Sequence, residues 1–459
     1  MASLPWLERW LLEALWPEDF SDAARAPIRP EELRNQQWER LRRTMDHARR
    51  NSPYYRQHWR HAPKELPRNP EELAAWPRTP SRELCERPES FLAVSQDEVA
   101  RVVSIPSSGT SGPGKRIFFT PGDLKRIRHF FGRGMRNLVR PGETTLVLLP
   151  GERPDSVGRL LGDALESFGS RALVAGPLEH PHDTLRQMDE QQVRCIVGSP
   201  AHIHVLAAHA RFAKPARKPR VRSVLLCWDA APQALVRSVE QGLDCAVFHH
   251  WGMVETGLGG AVECAPGSGM HLREADLYVE IACPHTGRPQ PHGQWGEILV
   301  TTLTRRAMPL IRYRTGDRGR LLPGPCACGS ALQRLDQDVR RLAEDHGNTS
   351  HQNGRLLDVA DLGDVLYAVH GLADFAASWR RGKSNRPELH IEITTPSPPG
   401  STGEQAVLQR SRTALDNAPA LRGSGIPLRL RTMGHGGTAR PGLDKRVLYP
   451  ASDFSEEKS

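Results

Sequence analysis

Residues 107–115 read Ser-Ser-Gly-Thr-Ser-Gly-Pro-Gly-Lys, a stretch that concentrates hydroxyl side chains, glycines and one lysine. Apolar runs flank it, with Val102 and Val103 before it and residues 117–120 after it, which predicts a loop between two strands. Such a loop can turn its amide N–H groups and hydroxyls toward a phosphate, because glycine lets the backbone approach closely. It lacks the Gly-Lys-Ser/Thr ending of the Walker pattern. Taken alone, the stretch is equally consistent with an ordinary flexible turn.

Candidate strands and helices alternate along the chain that follows. A helix is predicted at about 121–138, and further helices at 155–168 and 182–192 separate strands at 144–150, 171–175, 194–198, 223–228 and 245–251. This alternation predicts parallel sheets of the α/β class. From about residue 269 to 322, short strands at 277–281, 296–302 and 318–321 predict a β-rich subdomain. A polar stretch at 344–348 predicts a hinge, followed by a final α+β unit.

Composition limits the class of protein. The 459 residues are 38% hydrophobic and 25% charged, which is typical of a globular chain of two or three domains. The formal net charge is +9, but no dense basic arm occurs, so we expect no nucleic-acid partner. The eight cysteines are sparse and favour a reducing compartment. We find neither a signal peptide nor an apolar run long enough to span a membrane, and therefore expect a cytoplasmic protein without a membrane partner.

Two further stretches place a carboxylate beside glycines or arginines. His-His-Trp-Gly-Met-Val-Glu-Thr-Gly (249–257) follows a predicted strand, where Glu255 is suited to hold a metal ion bound to a nucleotide phosphate. A solvated glutamate in a turn is the alternative for Glu255. Ile-Arg-Tyr-Arg-Thr-Gly-Asp (311–317) places Asp317 after a predicted strand, where its carboxylate could accept both hydroxyls of a ribose.

The order and spacing of these three stretches resemble the adenylate-forming superfamily of acyl-CoA ligases and AMP-binding synthetases. The sequence is most similar to the branch of phenylacetate–CoA ligase and coenzyme F390 synthetase, with support from Asn-Ser-Pro-Tyr-Tyr-Arg (51–56) and Trp-Pro-Arg-Thr-Pro (76–80). The resemblance covers almost the whole chain. It implies a large N-terminal domain of parallel αβα subdomains plus a β-rich subdomain (1–342), and a small mobile α+β lid domain (343–459).

The resemblance also implies a two-step reaction. A carboxylic acid, aryl or acyl, attacks the α-phosphate of ATP, pyrophosphate leaves, and CoA captures the acyl group from the acyl-adenylate. The transition state of the first step needs its growing negative charge neutralised by Mg²⁺, hydroxyls and a cation. The implied partners are therefore the small-molecule acid and CoA, and a homodimer is left open.

The resemblance assigns residues to each part of the site. Those expected at the phosphate groups are Ser107, Ser108, Gly109, Thr110, Gly112 and Lys115. Those expected at the nucleoside and its metal ion are Asp229 and Ala230 (adenine loop), Trp251 and Gly252 (adenine face), Glu255 (Mg²⁺), and Asp317 and Arg341 (ribose). The implied catalytic residues are Thr110, Lys115, Glu255 and Lys445.

Two departures from the family pattern keep other functions open. Val254 stands where the family has threonine, and Thr438 stands where it has a lysine, with Lys445 seven residues on as a substitute. Loss of a cation that stabilises the transition state would cost about 2–4 kcal/mol. One alternative is therefore a catalytically weakened nucleotide-binding scaffold, which would bind ATP without releasing pyrophosphate. Another is an adenylyltransferase of the coenzyme F390 synthetase type, which moves AMP onto a hydroxyl.

Four cysteine and histidine residues suggest a metal site in the β-rich part. Cys264 and His271 lie seven positions apart, and Cys326 and Cys328 follow downstream. Two such pairs can form a closed tetrahedral zinc site if the fold brings them together. Similar sets in the phenylacetate–CoA ligase branch favour a structural zinc ion. The alternative is a core thiol, a solvated histidine and two thiols in a turn.

Overall fold

The computed structural model of the chain describes residues 4–16, 27–105, 114–213, 220–342, 357, 359–381, 387–422 and 426–435. The helices are α1 (Trp6–Leu15), α2 (Pro30–Asn51), α3 (Pro53–His58), α4 (Pro70–Ala74), α5 (Glu83–Glu86), α6 (Pro121–Met135), α7 (Val157–Glu166), α8 (Pro181–Glu190), α9 (Pro200–Ala213), α10 (Gln233–Leu243), α11 (Val359–Leu366) and α12 (Thr402–Asp416). Across these described helices, none has both the length and the apolar character needed to cross a membrane.

The strands complete the α/β pattern that the sequence predicts. They are β1 (Arg101–Ile105), β2 (Lys115–Phe119), β3 (Thr144–Leu148), β4 (Arg171–Val174), β5 (Val193–Gly198), β6 (Ser223–Leu226), β7 (Ala246–Trp251), β8 (Ala261–Glu263), β9 (Met270–Leu272), β10 (Leu277–Ala282), β11 (Gly296–Thr302), β12 (Tyr313–Gly319), β13 (Arg334–Leu335), β14 (Arg340–Arg341), β15 (Asp374–Arg381), β16 (Pro387–Thr395) and β17 (Leu428–His435). The α/β class is confirmed.

The chain divides into two compact units, which are described separately. Unit 1 comprises residues 1–140, 153–169 and 248–343, and unit 2 comprises residues 141–152, 170–247 and 344–459. Unit 2 thus combines the parallel strands with the C-terminal residues. The division between 342 and 343 into a main domain and a mobile lid domain stays a prediction.

Helices and strands of unit 1 pack around an aromatic core. Helix α2 starts with proline, has Glu31 and Glu32 in its first turn and ends with Arg49 and Arg50, so its charges match the helix dipole. Its buried residues join Tyr55, the strand β2 and the segment before β12 in one apolar cluster. This cluster holds β2 and β12 in place. Lys115 on β2 and Tyr313 on β12 belong to the candidate active site.

Strands β1 and β2 pair antiparallel, with Arg101 opposite Phe119 and Ile105 opposite Lys115. The predicted pair of strands around residues 107–115 is therefore confirmed. Helix α6 follows β2 directly, because Thr120 and Asp123 form a capping box: Thr120 N donates to Asp123 Oδ2 (2.8 Å) and Asp123 N donates to Thr120 Oγ1 (3.2 Å). The cap holds the end of β2 against the start of α6.

Two antiparallel groups of strands form the β-rich part of unit 1. One has the order β10-β11-β12-β14, and the other joins β7, β8, β9 and β13. The predicted strand at 318–321 is wrong in its bounds, because β12 begins at Tyr313 and ends at Gly319. Asp317 therefore lies within a strand and not after one. Gly316 lies between the two predicted pieces, and it has a φ of +75° in the observed strand, a conformation that favours glycine.

Unit 2 contains a parallel sheet with the order β6-β5-β3-β4. Every residue of β3 and of β6 is buried, as expected for strands covered on both faces. The predicted strands at 144–150, 171–175, 194–198 and 223–228 are confirmed within a few residues. Helices α8, α9 and α10 contribute buried residues to the same core.

The C-terminal residues of unit 2 form a three-stranded sheet. Strand β15 pairs antiparallel with β16, and β16 pairs parallel with β17. Phe375, Ile391 and Leu415 belong to the same apolar core as Leu206 and Val239 of α9 and α10. His204 of α9 strengthens this junction through a 2.7 Å contact between its Nδ1 and the carbonyl oxygen of Ala373.

Candidate active site

Lys115, Glu255 and Tyr313 meet in unit 1, although they lie far apart in sequence. Lys115 Nζ donates to Glu255 Oε1 and to Tyr313 Oη, both at 3.0 Å. Tyr313 Oη donates to the same Glu255 oxygen at 2.8 Å. A buried carboxylate, a cation and a phenol therefore form a closed triangle.

Local structure positions each member of the triangle. Lys115 is the first residue of β2 and Tyr313 the first residue of β12. Glu255 lies in the short 3₁₀ turn Val254–Thr256, which Thr256 closes by accepting a hydrogen bond from Met253 N (3.0 Å). Gly257 ends the turn with a φ of +79°, a conformation that favours glycine.

The charges of the triangle are set by burial and by its contacts. Burial alone would raise the pKa of Glu255, but the nearby Lys115 ammonium and its hydrogen bond outweigh it and lower the pKa to about 2. Burial, together with the Glu255 charge, raises the pKa of Tyr313 well above its usual value. At neutral pH Glu255 is therefore a carboxylate and Tyr313 a phenol that stays a donor.

Tyr313 is held in place by the segments behind it. Thr79 Oγ1 donates to the carbonyl oxygen of Ile311 (2.7 Å), and Ile311 N donates to Tyr55 Oη (2.8 Å). Tyr55 Oη and Thr79 Oγ1 are 3.3 Å apart. These contacts connect the Asn-Ser-Pro-Tyr-Tyr-Arg and Trp-Pro-Arg-Thr-Pro stretches to the start of β12.

Asp317 forms the second polar group of the site. Trp251 Nε1 donates to Asp317 Oδ2 at 3.0 Å, and Arg341 Nη1 lies 3.1 Å from Asp317 Oδ1. Arg341 Nη1 also donates to the carbonyl oxygen of Thr315 at 2.8 Å. A Cβ atom on Gly252 would lie 3.0 Å from Gly260 N, so glycine permits the chain to pass close beside Trp251. The structure thus brings Trp251, Asp317 and Arg341 together.

The predicted metal ligands Cys264, His271, Cys326 and Cys328 also converge in unit 1. Their ligand atoms all lie within 4.8 Å of one another. Cys264 Sγ and Cys326 Sγ are 3.6 Å apart, and Cys328 Sγ lies 3.4 Å from His271 Nε2. Hydrogen bonding with Cys328 lowers the pKa of Cys264, and the same contact raises the pKa of Cys328.

Other predicted site residues lie outside the described residues or in unit 2. Those outside the described residues are Ser107, Ser108, Gly109, Thr110, Gly112, Thr438 and Lys445. Asp229 and Ala230 belong to unit 2, where Ala230 N donates to Asp229 Oδ1 at 2.9 Å. The roles of all these residues stay predictions.

Two buried polar residues, Tyr313 and Arg305, received no role in the sequence analysis. Tyr313 lies inside the 311–317 stretch, so the motif itself was the available signal. Arg305 is buried although charged, and burial lowers its pKa to about 10. No sequence pattern marks Arg305, because its burial depends on contacts with α6 and with the turn at Gly257.

Comparisons with known proteins agree on one group of enzymes. Residues 165–304 match the AMP-binding enzyme family. A phenylacetate-coenzyme A ligase of Pseudomonas putida is 29% identical over 82% of this chain and 86% of its own length. A phenylacetate-coenzyme A ligase of Thermus thermophilus is 32% identical over 66% of this chain and 69% of its own length.

Solved structures agree on the fold. The crystal structure of a 2-hydroxyisobutyryl-CoA ligase, in the postadenylation state with 2-HIB-AMP, superposes with a TM-score of 0.73. The superposition covers 95% of this chain and 96% of the chain of that ligase, and the two sequences are 18% identical. The same ligase with 2-HIB-AMP and CoA, in the thioesterification state, gives a TM-score of 0.65 at 18% identity.

Proposed function

The chain belongs to the phenylacetate–coenzyme A ligase family of AMP-binding enzymes, and we propose that it activates an aryl carboxylic acid with ATP and Mg²⁺. In the first step, a carboxylate oxygen bonds to the α-phosphorus and the bond to the bridging oxygen breaks, which releases pyrophosphate. In the second step, the thiolate sulfur of CoA bonds to the acyl carbon and AMP leaves. The proton of the thiol passes to solvent.

The triangle of Lys115, Glu255 and Tyr313 is the observation that carries this proposal. Glu255 is ionised at neutral pH, as a ligand for Mg²⁺ must be. Lys115 is the first residue of β2, directly after the Ser/Gly/Thr stretch. Its cation can neutralise the negative charge that the phosphate oxygens gain in the transition state. Tyr313 donates a hydrogen bond to Glu255 and holds its carboxylate in one orientation.

The nucleoside half of the proposal rests on Asp317 and its neighbours. An ionised carboxylate can accept hydrogen bonds from both hydroxyls of a ribose. The indole of Trp251 holds Asp317 Oδ2, and the guanidinium of Arg341 holds Oδ1. We propose that Asp317 binds the ribose, that Arg341 contacts it too, and that Trp251 lies beside the adenine.

Pyrophosphate release tests the reaction. The purified full-length protein is incubated with ATP and Mg²⁺ across a panel of aryl and alkyl carboxylic acids, with and without CoA. We expect release that requires an acid, with acyl-CoA formed when CoA is present, and the highest rates for aryl acids. Glu255→Gln should lower the rate roughly 10²- to 10³-fold, whereas Glu89→Gln, at an exposed position, should leave it unchanged.

Other results would favour the alternatives. Release that requires a hydroxyl compound and no acid would identify an adenylyltransferase. ATP binding without release with any acceptor would identify the nucleotide-binding scaffold. The cytoplasmic location and the homodimer are separate predictions, which this assay does not address.

We also propose that Cys264, His271, Cys326 and Cys328 bind a structural zinc ion. Zinc–sulfur bonds of about 2.3 Å at tetrahedral angles separate two sulfurs by about 3.8 Å, close to the 3.6 Å between Cys264 and Cys326. His271 Nδ1 lies 3.2 Å from the carbonyl oxygen of Leu332, so a proton on Nδ1 leaves Nε2 free to bind the metal. Four protein ligands fill a tetrahedral site, which makes its role structural.

A further inference from the structure

Unit 1 contains a small pocket lined largely by polar and charged residues. The lining residues are Phe119, Asp123, Arg126, Ile127, Thr256, Gly257, Arg273, Asp276, Leu277, Thr302, Thr304 and Arg305. Three arginines face two aspartates in this set, so the lining carries one positive charge in excess.

Arg305 is the residue that makes this pocket unusual. Only 8% of its surface is exposed, and its Nη1 atom is buried without a hydrogen-bond partner among the described residues. Its Cζ atom lies 4.9 Å from the centre of the Phe119 ring, a contact that offsets part of the cost of burial. A buried guanidinium nitrogen without a hydrogen-bond partner is costly, because no group among the described residues replaces its lost hydration.

The carboxylates nearest to Arg305 already have other partners. Asp276 binds Arg126 at 2.9 Å and Arg273 at 2.7 Å, and it accepts a hydrogen bond from Thr304 at 2.8 Å. Asp123 accepts hydrogen bonds from the backbone N–H groups of Thr120, Arg306 and Ala307. Asp123 and Glu255 therefore act on Arg305 only through their charges at longer range.

We propose that this pocket binds a small inorganic anion, a halide or an oxyanion such as phosphate, which pairs with Arg305. The anion balances the excess positive charge of the lining residues and accepts a charge-assisted hydrogen bond from the Arg305 guanidinium. A Cβ atom on Gly257 would lie 3.0 Å from Arg305 Nη2, so the guanidinium is close to the turn that carries Glu255. The site does not depend on the proposed reaction.

Anomalous scattering locates the anion directly. Crystals of the full-length protein, without substrates, are soaked in sodium bromide or in sodium selenate, which represent the halide and the oxyanion. We expect an anomalous peak within about 3.5 Å of the guanidinium, at hydrogen-bond distance, for one of the two, and no such peak in Arg305→Met. A pocket without a peak in either soak, or a peak that persists in Arg305→Met (an adventitious ion only), would overturn the proposal.

Thermal unfolding tests the same site in solution. Sodium gluconate, a bulky organic salt that serves as the reference, is replaced by sodium bromide or by sodium sulfate at constant ionic strength. The wild-type protein should melt at a higher temperature with the anion that binds, since a ligand of the folded state stabilises it. Arg306→Met, which removes an equal charge at the exposed neighbouring position, should keep this response.

The Arg305 variants decide the outcome. Arg305→Met should lose the dependence on the anion, and Arg305→Lys, which keeps the charge, should retain a weaker one. If Arg305→Met does not fold, the comparison of Arg305→Lys with the wild type remains. Equal responses of the wild-type, Arg305→Lys and Arg306→Met proteins would contradict the proposal, because a general salt effect does not distinguish these residues.

Discussion

Glu255 is a buried carboxylate that stays charged because a lysine and a tyrosine act on the same oxygen. Lys115 and Tyr313 come from strands that lie 140 and 58 positions away in sequence. Of the three, Tyr313 is fully buried, whereas Lys115 retains partial exposure. The Lys115–Glu255 ion pair is therefore buried on the side of Glu255 and Tyr313 and partly exposed on the side of Lys115. Its contribution to the free energy of unfolding depends on the ionisation of Glu255.

The Lys115–Glu255 pair predicts a pH-dependent difference in stability. Lys115→Met should lower the free energy of unfolding at pH 7 by about 2 kcal/mol, because a charged hydrogen bond is lost. Since the folded pKa of Glu255 is about 2 and the reference value is 4.5, the pair stabilises the protein above about pH 4.5. Its contribution is lost as the pH falls from there toward 2. Urea unfolding at pH 7, 5 and 4, followed by tryptophan fluorescence, measures this difference.

Arg116→Met is the matched control for this series. Arg116 and Glu89 form an ion pair in which both side chains are 48% exposed, so its removal should change the stability by less than about 1 kcal/mol. A Lys115→Met protein that is as stable as the wild type at pH 7 would contradict the role of the pair. So would a difference that stays constant from pH 7 to pH 4.

At the element scale, strand ends assemble both the site and the cysteine cluster. Lys115 opens β2, Tyr313 opens β12 and Trp251 ends β7. Cys264 follows β8, His271 is the middle residue of β9, and Cys326 and Cys328 lie between β12 and β13. Because β8, β9 and β13 are short, their pairing leaves few backbone hydrogen bonds to hold them. Bonds from the four side chains to a metal ion would hold these short strands together.

Zinc removal should therefore destabilise unit 1. Elemental mass spectrometry of the purified protein should find one zinc ion per chain. A ligand present at a hundredfold excess over its Kd stabilises a protein by about 2.7 kcal/mol, so chelation should lower the midpoint of thermal unfolding by roughly 5–10 °C. Cys328→Ser should lose the metal and show the same lower midpoint.

Cys283→Ser provides the control, because Cys283 is a free cysteine outside the cluster. It should keep both the zinc content and the midpoint of the wild type. The zinc proposal would be abandoned if the wild-type protein, produced with zinc in the medium, contained none. Equal losses in Cys283→Ser and Cys328→Ser would also argue against it.

At the scale of the whole molecule, unit 2 joins the parallel sheet and the C-terminal strands in one apolar core. Phe375 of β15 belongs to the same buried cluster as Leu206 of α9 and Val239 of α10. Gly363 of α11 lies so close to Pro232 that a Cβ atom there would be 2.6 Å from its Cγ. The C-terminal sheet therefore shares one buried apolar cluster with the helices of the parallel sheet.

Phe375→Ala tests this shared core. The substitution should lower the free energy of unfolding by about 3–5 kcal/mol, because it leaves a cavity at a buried aromatic position. Hydrogen exchange should become faster in both β15 and α9. Phe212→Ala, at a phenylalanine of α9 that is 51% exposed, should change little. Faster exchange confined to residues 374–381 would indicate that the C-terminal sheet unfolds independently.

The sequence by itself determined the class of the fold and the identity of the family. Buried strands such as β3 and β6 contain short runs of leucine and valine, so their presence is indicated without the fold. The helix starts at Pro30 and Thr120 carry local capping signals. The motifs around Glu255 and Asp317 are contiguous, and the comparisons confirm the family that they indicated.

Only the tertiary structure decided which side chains touch. The strand at Tyr313–Gly319 was predicted as two pieces, one before Asp317 and one at 318–321, whereas antiparallel pairing with β11 and β14 makes it one continuous strand. Convergence of the four Cys and His ligands, and the contact of Tyr313 with Glu255, depend on the pairing of distant strands. The burial of Arg305 depends on segments more than 170 positions apart. Local sequence encodes local preference, but distances between remote residues follow from packing, which no short pattern contains.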